Sequence, residues 1–254
     1  MKKILIIGLF AFIVGFLPIA AIAQTQAKDS VDSKKKVFVL LELFTSEGCP
    51  TCPPADANLA FLEREQPFAD TEIVTLALHV DYWNSVNWKD VYSSPLFSRR
   101  QQIYTQALKV DQSYTPQMIV DGRAEFAGGS LAKAQKTILE AAKTPKANVE
   151  ITPATDKIRI KITDIPAHQN ATVFLAITEN DLVSNRKSGA KPEHISVVRV
   201  LSPLGMLTAA QKNLEIEIVL PTQSEWKKDN LKVVVFVQEN ASRKVLGVNR
   251  KSLN

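Results

Sequence analysis

The pattern of apolar and polar positions divides the chain into three stretches of different texture. Ile4 to Leu17 is continuously apolar, preceded by Met1-Lys2-Lys3 and followed by Pro18 and Ala21-Ile22-Ala23. A basic head, an apolar run and small residues before the cut form the layout of a cleavable export signal, so cleavage is expected after Ala23. The alternative is an uncleaved anchor, because Ile4 to Ala23 is just long enough to span a bilayer. No cysteine follows the site, which argues against a lipoprotein. Gln24 to Lys36 is polar and aperiodic, the texture of a linker.

From Val37 onward, strand and helix patterns alternate. Val37 to Phe44 is a buried-strand run, and Thr45 to Gly48 is a turn. Pro53-Pro54 suits a first helical turn, after which Ala55, Leu59 and Leu62 recur at helical spacing until Pro67. Glu72 to Val80 reads as a second strand. Ser94-Pro95 reads as an N-cap with proline at N1, followed by Phe97, Arg100, Tyr104 and Leu108 along one side of a helix. Gln117 to Val120 and Arg123 to Ala127 flank an Asp121-Gly122 turn, a hairpin pattern. Leu131, Ala134, Ile138 and Ala141 then mark a third helix.

After Thr144-Pro145 the period changes to two. Ile158, Ile160 and Ile162 alternate with polar residues, as do Val173, Leu175 and Ile177. Further strand runs cover Ile195–Leu201, Leu214–Leu220 and Leu231–Gln238. The expectation is an α/β domain over residues 37–144 and an all-β, sandwich-like domain over residues 145–254.

Composition narrows the function classes. The chain has 254 residues, 45% hydrophobic and 22% charged, enough apolar material for a packed core. It has 31 basic and 26 acidic residues; residues 1–23 hold two lysines and no acid, so the remainder carries a net charge of +3. That is too mild to indicate nucleic-acid binding. Lys34 to Lys36 reads as a solvated tether. Two sequons, Asn170-Ala171-Thr172 and Asn240-Ala241-Ser242, carry little weight.

Both cysteines lie in Cys49-Pro50-Thr51-Cys52. A bridge over two residues closes almost no loop and contributes little entropic stability, so the pair is poorly placed as a staple. It is well placed for exchange chemistry: Cys49, at the mouth of a helix whose free N–H groups favour thiolate, is the expected nucleophile, and Cys52 the resolver. His79 and Asp81, ending the second strand, are candidates for proton transfer or substrate contact, against the commoner hydrogen-bonded structural histidine. The segment from Asp81 to Tyr114 holds all four tyrosines and two of the three tryptophans. Most of these rings are expected to pack that insertion onto the sheet, with Trp83 and Tyr114 the site-facing ones.

Residues 37–144 resemble the thioredoxin superfamily, and more closely the secreted thioredoxin-like group catalogued as domain of unknown function 1223. The resemblance is carried by Leu43 to Cys49, Cys52 to Asp56, His79 to Trp83, Trp88-Lys89-Asp90 and Tyr114-Thr115-Pro116-Gln117, with Glu193 to Leu201 and Val234 to Gly247 beyond them. It implies a central mixed sheet flanked by helices and a redox site. It further implies a cis bond before Pro116, facing the cysteines, with Thr115 and neighbouring backbone available to an extended substrate. A buried carboxylate in the first strand, here Glu42, would shuttle the resolver's proton, although the turn before the cysteines is one residue longer than usual. Pro50-Thr51 departs from the small polar dipeptide of the group and is more like glutaredoxin, so redox direction does not carry over.

The reading is therefore an exported thiol–disulfide oxidoreductase. Its expected partners are protein or peptide thiols and disulfides and a further redox partner, without cofactor, nucleic acid or stable membrane insertion after signal removal. Two rivals stand beside it. One is a soft-metal (copper) carrier using Cys49 and Cys52, aided by His79. The other is a non-catalytic binding protein on the same scaffold, with the β-module as its interaction surface.

Overall fold

The structure, a computed structural model, describes residues 36–154, 157–183 and 193–253. The expected export signal and nearly all of the expected linker lie outside the described residues. Residues 35–254 belong to one compact unit.

The first half follows the expected order: β1 (Val37–Thr45), α1 (Pro53–Glu65), β2 (Thr71–His79), α2 (Pro95–Ala107), β3 (Gln117–Val120), β4 (Ala124–Ala127) and α3 (Leu131–Ala142). Local chemistry sets the helix ends. The Ser94 and Ser130 side chains accept from the backbone N–H groups of Leu96 and Lys133, capping α2 and α3. At the end of α1, Gln66 turns left-handed and its side-chain amide donates to the carbonyls of Leu62, Glu63 and Ile73. The second half contributes β5 (Asn148–Pro153), β6 (Lys157–Thr163), β7 (Ala171–Glu179), β8 (Leu182–Val183), β9 (Glu193–His194), β10 (Val197–Leu207), β11 (Leu214–Val219), β12 (Leu231–Glu239) and β13 (Val245–Ser252).

These strands do not form a separate module. One eight-stranded mixed sheet runs β13-β12-β7-β10-β2-β1-β3-β4, crossing residue 145 through the parallel junction of β10 with β2, where Val197 pairs with Ala77. The break near residue 145 is thus a change of periodicity rather than an edge of the sheet. The sandwich expectation survives as a layer: β11-β6-β5 form a three-stranded sheet whose Ile158, Ile160 and Ile162 pack on Val233, Val235 and Val237 of β12.

Helices cover the β1–β3 region unevenly. On one face, Leu59 and Leu62 of α1 and Ala134 and Ile138 of α3 pack on Val39, Leu41, Leu43 and Met118. On the other face only α2 is helical, and Leu40, Phe44, Val74 and Leu76 also meet Val234, Phe236, Val245 and Val248. The sheet curls until its own last strands cover its middle. Helices thus lie on both faces but unevenly, and on the α2 side strands supply much of the cover. Strongly twisted sheets of this size curl in this way to bury both faces.

Asp121 ties the curl shut. Its carboxylate accepts from the Leu40 N–H and pairs with Lys146, while its carbonyl accepts from Val245 N–H. Burial raises the Asp121 carboxyl despite Lys146 beside it. Among the described residues, no helix is long and apolar enough to cross a membrane.

Candidate functional site

The turn after β1 and the start of α1 place the two cysteines. Cys49 N–H donates to the Ser46 carbonyl, Cys52 N–H reaches the Cys49 carbonyl at 3.5 Å, and Cys52 is the N-cap of α1. Cys49 and Cys52 form a disulfide with a Cα–Cα distance of 5.5 Å. The Thr51 hydroxyl lies 3.6 Å from Cys49 Sγ.

Two expectations about this pair are corrected. Neither cysteine has exposed surface, so Cys49 is not open to another chain in this conformation. Nor does α1 present free N–H donors: its first two residues are prolines, and Ala55 and Asp56 N–H both donate to the Cys52 carbonyl. The positive end of a helix resides largely in unpaired N–H groups, so thiolate support here is weak.

The Thr115–Pro116 bond is cis. Because Gln117 pairs with Phe44 across the β1/β3 ladder, Pro116 lies beside Thr45, at the end of β1 that leads into the cysteine turn. Trp83 Nε1 donates to Thr115 Oγ1 at 2.7 Å. A Cβ built on Gly48 would sit 3.2 Å from Trp83 Cβ and 2.8 Å from the Trp88 ring, so both tryptophans close over this glycine. Trp83, Thr115, Pro116 and the cysteine turn are thereby brought together. Tyr114 is half-buried, and its hydroxyl donates to Glu125 at 2.7 Å; burial, then the Glu125 carboxylate, raises the phenol.

Glu42 is not brought to the cysteines. Side chains alternate along β1, and Glu42 shares the face of Leu40 and Phe44, opposite the face that packs on α1. Its carboxylate accepts from Arg100 Nε at 2.6 Å and Nη2 at 3.0 Å, and from the Tyr104 hydroxyl. Leu43 takes the α1-facing position instead. Alternation along β1 therefore turns Glu42 toward α2, away from the cysteine helix.

His79 is also corrected as a substrate contact, since it is buried with Nδ1 2.8 Å from Asp90. Asp81, the other strand-end candidate, accepts from the Ser98 hydroxyl. The residue that organises this end of the sheet is Asp90, whose role was not read from sequence. Its carboxylate accepts from Glu47 N–H at 2.8 Å, Ser46 Oγ at 3.2 Å and Tyr92 N–H at 3.0 Å, while Asn84 Oδ1 holds its own N–H. Burial pushes this carboxyl up, but the His79 contact and the backbone donors outweigh it and hold Asp90 below the ordinary carboxylate value.

A second pair lies against the first. Glu47 Oε1 is 2.9 Å from Nε2 of His194, which comes from β9 and is 147 positions away in sequence. The rings of His79, His194 and Tyr92 meet edge to face, with centroids 5.2 to 5.7 Å apart. His79 Nε2 is buried without a hydrogen-bond partner. Among the described residues, no group of three or more His, Cys, Asp or Glu side chains is arranged to hold a metal ion. A groove of about 620 Å³ lined by Lys36, Lys143, Lys146 and Glu150 contains none of these residues.

Fold and site together define a mixed α/β protein with a buried CxxC disulfide at a helix start and two tryptophans packed at the preceding Gly48. The chain belongs to the family described as Protein of unknown function (DUF1223), whose model matches residues 40–238. A structural-genomics crystal structure of a protein from Agrobacterium tumefaciens is similar over 87% of this chain and 96% of that one, with 26% identity and a TM-score of 0.72. A domain of the outer membrane lipoprotein Omp28 from Porphyromonas gingivalis matches 43% of this chain and 89% of its own, at 15% identity and a TM-score of 0.25, too low to carry an argument. No curated protein matches the chain.

Proposed function

We propose that this protein is an exported thiol–disulfide oxidoreductase on a thioredoxin-like core, exchanging disulfides with protein or peptide substrates. The observation that carries the reading is the Cys49–Cys52 disulfide in the turn after β1, with cis-Pro116 at the neighbouring head of β3, and the parallel β1/β2 pair and antiparallel β3 and β4 in the order β2-β1-β3-β4. In the oxidising half-cycle a substrate thiolate attacks Cys49 Sγ. The new S–S bond forms as the Cys49–Cys52 bond breaks, and the electron pair leaves on Cys52, which takes up a proton. A second substrate thiolate then displaces Cys49. In the reducing half-cycle Cys49 attacks a substrate disulfide and Cys52 resolves the mixed species. Because both sulfurs are buried, exchange requires the structure around them to open.

Catalysed turnover of a model protein disulfide with dithiothreitol tests this. Cys49→Ser is expected to abolish it, and Cys52→Ser to trap mixed disulfides with substrate. Wild-type turnover in Cys49→Ser would sink the assignment. The complete burial of the pair favours a second reading, a binding protein in which the disulfide is inert. That reading predicts no catalysis in the wild type and no reduction by dithiothreitol without unfolding.

A further inference from the structure

The residues from Cys49 to Cys52 close a turn of their own. Cys52 N–H reaches the Cys49 carbonyl, so Pro50 and Thr51 hold the two central positions, and both are exposed. Proline at the first central position presets the backbone for such a turn. Thr51 follows it, and its hydroxyl lies 3.6 Å from Cys49 Sγ, the sulfur expected to exchange with substrate. Sulfur is larger than oxygen, so this separation is within hydrogen-bonding range. A bridged sulfur carries no proton, which makes the hydroxyl the donor. Neighbouring N–H groups are directed elsewhere: Gly48 to Ser46 Oγ, Cys49 to the Ser46 carbonyl, Cys52 to the Cys49 carbonyl, and Ala55 and Asp56 to the Cys52 carbonyl. Pro53 and Pro54 have no N–H to offer.

We propose that the Thr51 hydroxyl is the donor that meets the charge on Cys49 when the disulfide opens, and so draws the pair toward accepting electrons. The inference rests on the exchange reading and adds a direction to it. A neutral bridged sulfur is a weak acceptor, whereas a thiolate carries a full charge, and charge-assisted hydrogen bonds are about twice as strong as neutral ones. The contact therefore gains strength once the S–S bond has broken, at a place where the helix start supplies little. A dithiol whose reduced form is stabilised as a thiolate has a more easily reduced disulfide and is the better oxidant.

In that direction a first substrate thiolate attacks Cys49 Sγ, and Cys52 leaves and takes up a proton. A second substrate thiolate then attacks the substrate sulfur of the mixed disulfide. The substrate S–S bond forms, the bond to Cys49 breaks, and the electron pair departs on Cys49 Sγ, beside Thr51. A better stabilised leaving thiolate departs faster. Two electrons have then passed to the pair, and a partner disulfide accepts them in turn.

Labelling the full-length protein with isotope-labelled cysteine gives one Cβ resonance for each cysteine. Following the Cys49 resonance against pH in the reduced protein tests the proposal. Refolding in dithiothreitol prepares that state without entry to the buried site. Thr51→Val keeps the branched shape and removes the donor. It is expected to raise the Cys49 transition by about one pH unit, roughly tenfold less thiolate below it. Thr51→Ser keeps a hydroxyl and is expected to stay within a few tenths of a unit of the wild type. At one pH unit above the wild-type transition, equilibration with glutathione is expected to show the Thr51→Val disulfide about fivefold harder to reduce. Superimposed Cys49 curves for wild type and Thr51→Val would overturn the proposal, as would a Thr51→Ser curve that follows the valine variant. So would a reduced chain that does not refold, because no folded thiolate would then exist for Thr51 to meet. These titrations need no turnover: an absence of catalysis would defeat the exchange reading, whereas catalysis with superimposed curves would defeat the role of Thr51 alone.

Discussion

Replacing Arg100 with methionine probes a buried polar network that joins α2 to the sheet. Glu42 has no exposed surface and receives both Nε and Nη2 of Arg100, with Tyr104 as its third partner. Glu42 holds the Arg100 guanidinium charged against the opposing effect of burial. The same guanidinium lies 5.0 Å from the Tyr104 ring centroid, 5.4 Å from Phe174 and 5.3 Å from Phe236. Arg100 thus joins α2 to β1, β7 and β12. Methionine fills similar space but leaves a buried carboxylate with only a phenol beside it. Breaking one side of a buried pair costs about 3–5 kcal/mol, and the ring contacts add about 1 kcal/mol without being additive. We expect a loss of about 4 kcal/mol. With a urea dependence of about 2.5 kcal/mol per molar, that moves the unfolding midpoint down by about 1.5 M. Glu42→Leu in the Arg100→Met background removes the orphaned charge and is expected to recover most of the loss. Equilibrium unfolding of the two single variants and the double variant closes the cycle. A loss below about 1 kcal/mol for Arg100→Met, or a double variant no more stable than it, would refute the account.

Two further outcomes follow from the site and the curl. Asp90 is held below the ordinary carboxylate value in the fold, so the folded state binds fewer protons there than the unfolded one. Its contribution is complete above about pH 4 and disappears as pH falls through the lowered value. Asp90→Asn should flatten the acid side of the stability–pH curve and cost about 2–3 kcal/mol near neutrality; urea unfolding between pH 3 and 7 with parallel curves for both proteins would count against it. Gly122 adopts φ +68°, and a Cβ there would lie 1.8 Å from the Arg243 carbonyl oxygen. Gly122→Ala should lose more than about 2 kcal/mol and most soluble yield. A melting temperature unchanged from wild type would show that the β3–β4 turn is not clamped under the β12–β13 turn.

Much of the first half was legible because its signals are local. Ser94-Pro95, Ser130 and Pro67 mark helix ends within a few residues of where they act, and the apolar runs of β1 and β2 announce burial on both faces. The cis bond before Pro116 was implied by the family resemblance, since an X–Pro pair at a strand head does not by itself select the isomer. Parity defeated the reading of Glu42: alternation along β1 turns it toward α2, and nothing local marks which side of the strand α1 will cover. Asp90 and His194 were visible within the segments Trp88-Lys89-Asp90 and Glu193 to Leu201. Nothing local shows that one receives His79 and the other receives Glu47.

The chain by itself determined the elements, their order through α3, and a closely spaced cysteine pair at a helix start, because periodicity, caps and turns act over a few residues. Only the tertiary structure decided that the β-rich second half joins the same sheet and curls over β1 and β2. It alone placed His194 against Glu47 and removed the sulfurs from solvent. The sheet junction, the curl and the His194–Glu47 pair depend on strand pairings and packing between residues more than a hundred positions apart, where alternation specifies which side of a strand is apolar but not which surface will cover it.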